Sequence, residues 1–494
     1  MEKKRMGARM LLMALLLSTV AGCGETPVET TETDTNAVET AADTESLAVT
    51  DMEGRLAVTD GLPEKDFGGA NYTILGYNLS GGTMVAEELN GEAFNDAVYN
   101  RNAGVEERFQ VKLQVDYDHD YLAASTAVKN TVLAGESTYD LVAYQYVQMG
   151  SDVVSNVYLN FRDVPYIDFE KPWWNYSTDE LLTYKGRTFL ALGSLSLSNI
   201  SGSNCIYYNQ GIAEQYELED IFAVVNEGRW TLDKLLEFSD VVYKDVNGDG
   251  VRDEGDQYGF VYSRKGDMGG IQVYDKLICD FDSEGNLMLD KYYDEKLVSI
   301  VEKLYDIQYN HPSVWSEEKW NLGIDLFVDG TVLAGFGNLS MSQWGLRETE
   351  IDYAIIPIPK WDEAQEKYYT CVGGDAQAVI QTAGDLEKIG VITEALNAES
   401  WRTCESAYYE NTIKYKTARQ EENIAVLDMM MENRVYDFAT VYGGWSEQGG
   451  GANFWIYQLL NSDSTDIASY YQSKKARWEQ YMADVVSAFE NYKN

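Results

Sequence analysis

Between Asn71 and Tyr146 the chain switches hydrophobic period four times, and few folds accept that order. NYTILGY is a short β-type run, after which Phe94, Ala97, Val98, Val105 and Phe109 mark one face of a helix. VKLQVDY alternates Val111, Leu113, Val115 and Tyr117 at period two, Leu122 to Leu133 is helical again, and YDLVAYQY is an apolar strand. Strand, helix, strand, helix, strand in sequence means parallel pairing through right-handed crossovers, hence an α/β lobe. Further strands are expected at Thr188 to Leu195, Asn204 to Tyr208, Tyr258 to Tyr262, Thr331 to Phe336 and Ile351 to Ile358. Helices are expected at Thr231 to Tyr243, Glu295 to Tyr309, Leu386 to Leu396, Asn423 to Met431 and Ser469 to Tyr492. A chain of 494 residues exceeds the size at which one core stops growing, so two globular units are expected.

The N-terminus carries a basic head (Lys3, Lys4, Arg5, Arg9), the apolar run Met10 to Leu17, then Val20-Ala21-Gly22-Cys23. The run is too short to span a bilayer and reads as an export signal. Small residues before a cysteine resemble the bacterial lipobox, which would make Cys23 the lipid-modified first residue of the mature chain. An ordinary secretory signal with an incidental cysteine is the competing reading. Residues 24–62 are rich in Thr, Glu, Asp and Ala without periodicity, so 23–65 is expected to be a disordered acidic tether.

Thirty-eight basic against eighty-one acidic residues give a net charge of −43, which excludes electrostatic binding of nucleic acid or anionic lipid. With two histidines in the chain, a multi-histidine metal centre is excluded too. Cys205, Cys279, Cys371 and Cys404 form no CxxC pair, and their disulfide state is not legible.

DVNGDGVRDEGD matches the twelve-residue calcium loop of an EF-hand. Asp245, Asn247 and Asp249 stand at positions 1, 3 and 5, with Gly250 at the sharp turn. Val251 would offer its carbonyl at 7, Asp253 would bind directly or through water at 9, and Asp256 takes 12. Asp256 replaces the usual glutamate, Arg252 occupies the apolar eighth position, and no second loop exists. A solitary structural calcium clip between a helix and a strand is expected, against the alternative of a metal-free acidic turn.

PWWNYSTDELLTYKGRTFLALGSLSLS, IYYNQGIAEQYELED, EGRWTLDKLLEFSDVVYKDVNGDGVRDEGDQYGF and IDYAIIPIPKWDEAQEKYY, in that order after a lipobox and an acidic tether, resemble extracellular solute-binding proteins of bacterial ABC importers, carbohydrate family 1. The resemblance implies a two-lobed, type II periplasmic-binding-protein-like α/β fold with crossing hinge strands that closes around a ligand. It places the first crossing at Thr188 to Leu197, the second at Ile351 to Pro357 and a third near Asn397. Lobe one would comprise 66–194 with 358–396, and lobe two 195–357 with 397–494. It further implies a monomeric, non-enzymatic, lipid-anchored receptor, on the outer face of a membrane of Gram-positive type, that hands a carbohydrate to ABC permease subunits.

Ligands of open α/β sheets sit beyond the carboxyl ends of strands. That rule nominates Tyr77, Asn78, Tyr144 and Gln145, opposed by Asn199, Ser201, Trp344, Asp375 and Trp445, with Trp445 the foremost candidate. Aromatic rings suit sugar C–H faces, and amides and carboxylates suit hydroxyls. Trp173 and Trp174 read as core instead. A surface glycoside hydrolase using paired carboxylates and a glycan- or peptide-binding adhesin are the alternative functions.

Overall fold

The computed structural model describes residues 52–175, 178, 180–268, 270–409, 421–444 and 451–492. The segment expected to be an export signal, Cys23, most of the stretch expected to be a tether, and Trp445 lie outside them. Nine strands carry the fold: β1 (Ala70–Leu75), β2 (Val111–Asp116), β3 (Leu141–Gln145), β4 (Asn204–Asn209), β5 (Tyr258–Ser263), β6 (Val314–Glu317), β7 (Val332–Asn338), β8 (Tyr353–Ile356) and β9 (Asp375–Ala378). The first sheet runs β9-β3-β1-β2, with β1 parallel to both neighbours and β9 antiparallel to β3. The second runs β8-β4-β7-β5-β6, where β5 is parallel to β6 and β7, and β4 is antiparallel to β7 and β8. These two sheets with their helices are the two lobes of the expected fold.

The periodic segments form where amphipathicity demanded. The helices Ala93–Phe109 and Tyr121–Ala134 bury Val98, Val105 and Phe109, and Ala124 and Val128, as crossovers between parallel strands. Asp120 caps the second by accepting the Ala123 N–H, and Gly135 ends it in the left-handed region at φ 71°. Among the described residues no helix is long and apolar enough to cross a membrane.

Several expected boundaries move. The tether ends earlier than residue 65, because the helix Met52–Ala57 and the strand of chain after it are tied to lobe one. Arg55 is buried, donates to the Trp401 carbonyl at 2.7 Å and stands over the Trp401 ring at 4.9 Å. Asp60 receives two bonds from Arg108, at 2.7 and 3.1 Å. Arg402 adds bonds to the Val58 carbonyl at 3.0 and 2.6 Å, so three arginines order a stretch whose composition alone signals disorder.

The second crossing is not at Ile351 to Pro357. Residues 358–370 stay with lobe two: Lys360 exchanges backbone bonds with Trp230 and Leu232, and the Gln365 amide donates to Val273 at 3.0 Å. The chain reaches lobe one only at Val372 to Asp375. The first crossing is no continuous strand either. It touches the first sheet through the Ala191–Gln377 bridge, turns at Ser198–Ser201, and meets the second crossing antiparallel at Ser203–Val372. There the backbones nearly touch, since a Cβ on Gly202 would lie 1.8 Å from the Gly373 oxygen, so only glycine fits.

Near Asn397 the chain stays helical: Leu386–Glu399 continues through a π turn at Ser400–Cys404 to Tyr408. Asn397 instead joins segments, exchanging amide bonds with Gln377 at 3.0 and 2.9 Å and accepting the Leu195 N–H at 2.9 Å. The C-terminal helix Ile467–Glu490 serves both lobes, not lobe two alone. Trp478 packs on Tyr292 of the second lobe (5.5 Å), and Phe489 on Phe189 of the first (4.6 Å).

Candidate functional site

The carboxyl ends of β1, β2 and β3 and the start of β9 share one edge of the first sheet, because β9 runs antiparallel to β3. By the same geometry the carboxyl ends of β5, β6 and β7 share one edge of the second sheet with the start of β4. The crossing segments 198–203 and 372–375 join these two edges, so whatever the fold captures between its lobes rests on them.

Asp375 occupies the centre of that junction and is fully buried. Its N–H donates to Ser198 Oγ at 3.1 Å, yet neither carboxylate oxygen closes a well-formed hydrogen bond within the chain. Burial pushes its pKa up from 3.8 to about 6, and the nearby hydroxyls of Ser80, Ser198 and Tyr77 offset part of that shift. Burial and the Asp375 charge push the Tyr77 phenol above the ordinary tyrosine range, so it stays a donor. These hydroxyls are too poorly aligned to satisfy the carboxylate fully, and since a buried acceptor left without a partner costs about 1–3 kcal/mol, more when charged, the place is suited to completion from outside.

Asn199 supplies a donor beside it. Its side chain is buried, Oδ1 accepts from Tyr436 at 3.4 Å, and Nδ2 has no partner. Its carbonyl accepts from Arg434 at 2.8 Å, which holds the turn in place. Gly374 lets the segment lie against it, because a Cβ there would stand 2.3 Å from Asn199 Oδ1. Tyr146 braces the second crossing, its hydroxyl donating to the Val372 carbonyl at 2.9 Å.

Of the nine nominated residues, Tyr77, Asn199, Ser201 and Asp375 come together at this junction. Ser201 accepts the Ser340 N–H at 2.8 Å, which links it to the end of β7. Asn78 is exposed beside Tyr77, and Trp344 is 54% exposed on the second lobe, its indole donating to Ser340 Oγ at 3.3 Å. Tyr144 is a core residue whose hydroxyl is committed to Asp152 (2.7 Å) and Tyr158 (2.6 Å), so it takes no part. Gln145 is spent capping the helix Tyr146–Asp152 through the Gln148 N–H. Trp445 lies outside the described residues. Trp173 and Trp174 are core, both indoles donating to Glu394 at 2.9 Å.

Sequence reasoning missed Ser80, Ser198, Tyr408 and Tyr436, which carry no motif and are selected only by the turns that hold them. Tyr408 is buried between the side chains of Ser201 and Gln343, and burial pushes its phenol up to about 12. It also missed Trp320, 65% exposed after β6 with Lys265 Nζ 5.1 Å from its ring centroid. Leu79, 81% exposed after β1, adds an apolar group to the first lobe's edge.

The twelve-residue acidic loop joins the helix Leu232–Val242 to β5, closed at its base by the Lys244–Gln257 bridge. Gly248 and Gly250 have φ of 73° and 72°, as so tight a turn requires. Asp245 accepts the N–H groups of Gly248 and Gly250 at 2.6 and 2.9 Å, and Asp249 that of Val251 at 2.7 Å. Asp256 is buried and accepts from Val246 at 3.3 Å and Tyr258 at 3.5 Å, with the Tyr243 hydroxyl also beside it. The oxygen-rich donor set suits a hard cation. Among the described residues, however, no three carboxylate, thiol or imidazole groups converge on one point, so the side chains are turned to the loop's own amides.

No protein-family model matches the chain. No curated protein matches it either. Solved structures do. A cyclo/maltodextrin-binding protein complexed with maltotetraose superposes with a TM-score of 0.53 at 11% identity, covering 88% of this chain and 100% of its own. An ABC substrate-binding protein from Listeria monocytogenes in complex with cycloalternan gives 0.53 at 12%, covering 86% and 100%. UgpB from Mycobacterium tuberculosis in complex with glycerophosphocholine gives 0.53 at 15%, covering 85% and 98%. The fold is therefore that of the two-lobed ABC solute-binding proteins.

Proposed function

We propose that this chain is a solute-binding receptor that takes a sugar or oligosaccharide between its lobes and presents it to an ABC permease, held at the outer face of the membrane through lipid on Cys23. The observation that carries this reading is Asp375, buried at the meeting of both crossings with unsatisfied oxygens, next to the free Asn199 amide donor. Sugar hydroxyls supply the donors that Asp375 needs and the acceptor that Asn199 Nδ2 needs. Trp344 and Trp320 offer exposed rings for C–H faces at the opposing edge. Maltotetraose and cycloalternan in the similar structures support a carbohydrate, while glycerophosphocholine shows that the fold also accepts other polyhydroxylated solutes.

Calorimetry on residues 49–494 against a panel of mono- and oligosaccharides tests it. The expected result is saturable one-to-one binding with the sugar recovered intact. Turnover would replace the receptor with a hydrolase, and silence across the panel would sink the carbohydrate assignment.

The acidic loop is proposed to hold one structural calcium through Asp245, Asn247, Asp249, Asp253, Asp256 and the Val251 carbonyl. Buried Asp256, whose contacts to Val246 and Tyr258 are long, supports it. Calcium at about a hundred times its Kd is expected to add about 2.7 kcal/mol to unfolding. Thermal melts with calcium and with chelator should differ for the wild type and coincide for Asp245→Ala/Asp249→Ala. Coincident wild-type melts would remove the metal.

A further inference from the structure

Beyond the cleft, the far end of the second lobe holds a separate hollow of about 270 Å³ between the helices Gln210–Gln215 and Ile221–Asn226. β4 starts at the cleft edge, so Tyr208, near its carboxyl end, stands at the opposite end of the sheet. Tyr208 lines the hollow, is 1% exposed, and its hydroxyl has no hydrogen-bond partner. A buried phenol normally finds a partner, so an orphan at the wall of a cavity points to something that enters it.

The charge around the hollow is one-sided. Glu214, Glu219 and Asp220 line it. Glu219 is compensated by Arg229 at 2.6 Å and Lys234 at 3.4 Å. Among the described residues Asp220 bonds only to the backbone, accepting the Phe222 and Ala223 N–H groups at 2.8 and 3.3 Å, and pairs with no cation. Glu214 is exposed at the rim. Asp220 is close enough to act with burial in raising the Tyr208 phenol above the tyrosine range. Apolar groups of Ala213, Leu218 and Ile221 complete the lining.

We infer that this hollow is a second ligand site, independent of the carbohydrate cleft, that takes a small primary amine as its ammonium ion. An ammonium has three N–H donors and no acceptor, which suits the Tyr208 hydroxyl oxygen and the Asp220 and Glu214 carboxylates. The apolar lining accepts a short alkyl chain and excludes a larger solute. A chain with net charge −43 raises the local concentration of such cations at its surface.

The test is an NMR titration of residues 49–494 with propylammonium chloride, ionic strength held constant with sodium chloride, and 1-propanol as the uncharged counterpart. Propylammonium should give saturable shifts and 1-propanol none. Tyr208→Phe, which removes only an unpartnered hydroxyl, should weaken binding about fivefold. Glu214→Gln, exposed and harmless to folding, should weaken it by a similar factor, while Trp344→Ala leaves it unchanged. Saturation by 1-propanol with equal affinity, an absence of saturation with propylammonium, or affinities untouched by both Tyr208→Phe and Glu214→Gln would overturn the site.

Discussion

Asp375→Asn is expected to weaken carbohydrate capture by at least about thirtyfold while leaving the unliganded protein as stable as the wild type or more so. The two effects have one cause. Burial without a well-formed partner makes the carboxylate a cost in the empty protein, and the cost is removed when ligand hydroxyls donate to it. Truncating a buried charged partner at an interface costs about 2–5 kcal/mol of binding. In the folded state the carboxyl titrates at about 6 against 3.8 when unperturbed. The folded state therefore holds a proton that the unfolded state has lost between about pH 3.8 and 6, and this group makes stability fall as pH rises through that window. Affinity should move the other way, weakening as pH drops below about 6 and the acceptor is protonated. Calorimetry and urea unfolding of both proteins on either side of pH 6 check it. Parallel losses of affinity and stability would demote Asp375 to a core residue.

Glu394→Leu is expected to destabilise the fold by about 2–6 kcal/mol, since it leaves two buried indole N–H groups without an acceptor. Trp173 and Trp174 each donate to one Glu394 oxygen at 2.9 Å, which ties the segment before the first crossing to the helix Leu386–Glu399. Burial outweighs those two bonds and raises the carboxyl from 4.5 to about 8. Its linkage has the same sign as that of Asp375: stability is lost as pH rises from about 4.5 to 8. Glu394→Gln keeps one acceptor oxygen, sets its NH2 against the other indole N–H and cannot ionise, so near neutrality it should lose about half as much as Glu394→Leu and flatten the loss above it. Denaturant unfolding across that range distinguishes the variants, and an unchanged midpoint for Glu394→Leu would refute the role of the pair.

Much of the fold was legible because periodicity is local. The alternation in VKLQVDY and the apolar face through Val98, Val105 and Phe109 report directly which side of an element is buried, and β2 and the helix Ala93–Phe109 follow. The site was legible in part. The rule that ligands lie past strand ends found Tyr77, while Asp375 entered as an opposing candidate and opens β9; the rule could not separate Tyr144, whose hydroxyl turns inward to Asp152, from Tyr146 two residues on, which reaches the second crossing. Tyr144 still belongs to β3 and turns into the core, whereas Tyr146 opens the helix Tyr146–Asp152, so the change from strand to helix within two residues decides which phenol reaches the crossing.

The sequence by itself determined most element types, the α/β class of the first lobe and the acidic loop from spacing along the chain, while the two-lobed arrangement came from its resemblance to solute-binding proteins. Only the tertiary structure decided where the lobes exchange chain and where the folded body begins. Lys360 stays with lobe two because Trp230 and Leu232 pair with its backbone, and residues 52–62 are ordered because their own Arg55 reaches the Trp401 carbonyl while Arg108 and Arg402, far along the chain, hold Asp60 and the Val58 carbonyl. The bonds of Arg55 to Trp401 and Glu405 join residues 346 and 350 positions apart, and no local pattern records them. The unsatisfied oxygens of Asp375 belong to the same class: only packing can bury a carboxylate and withhold its partner.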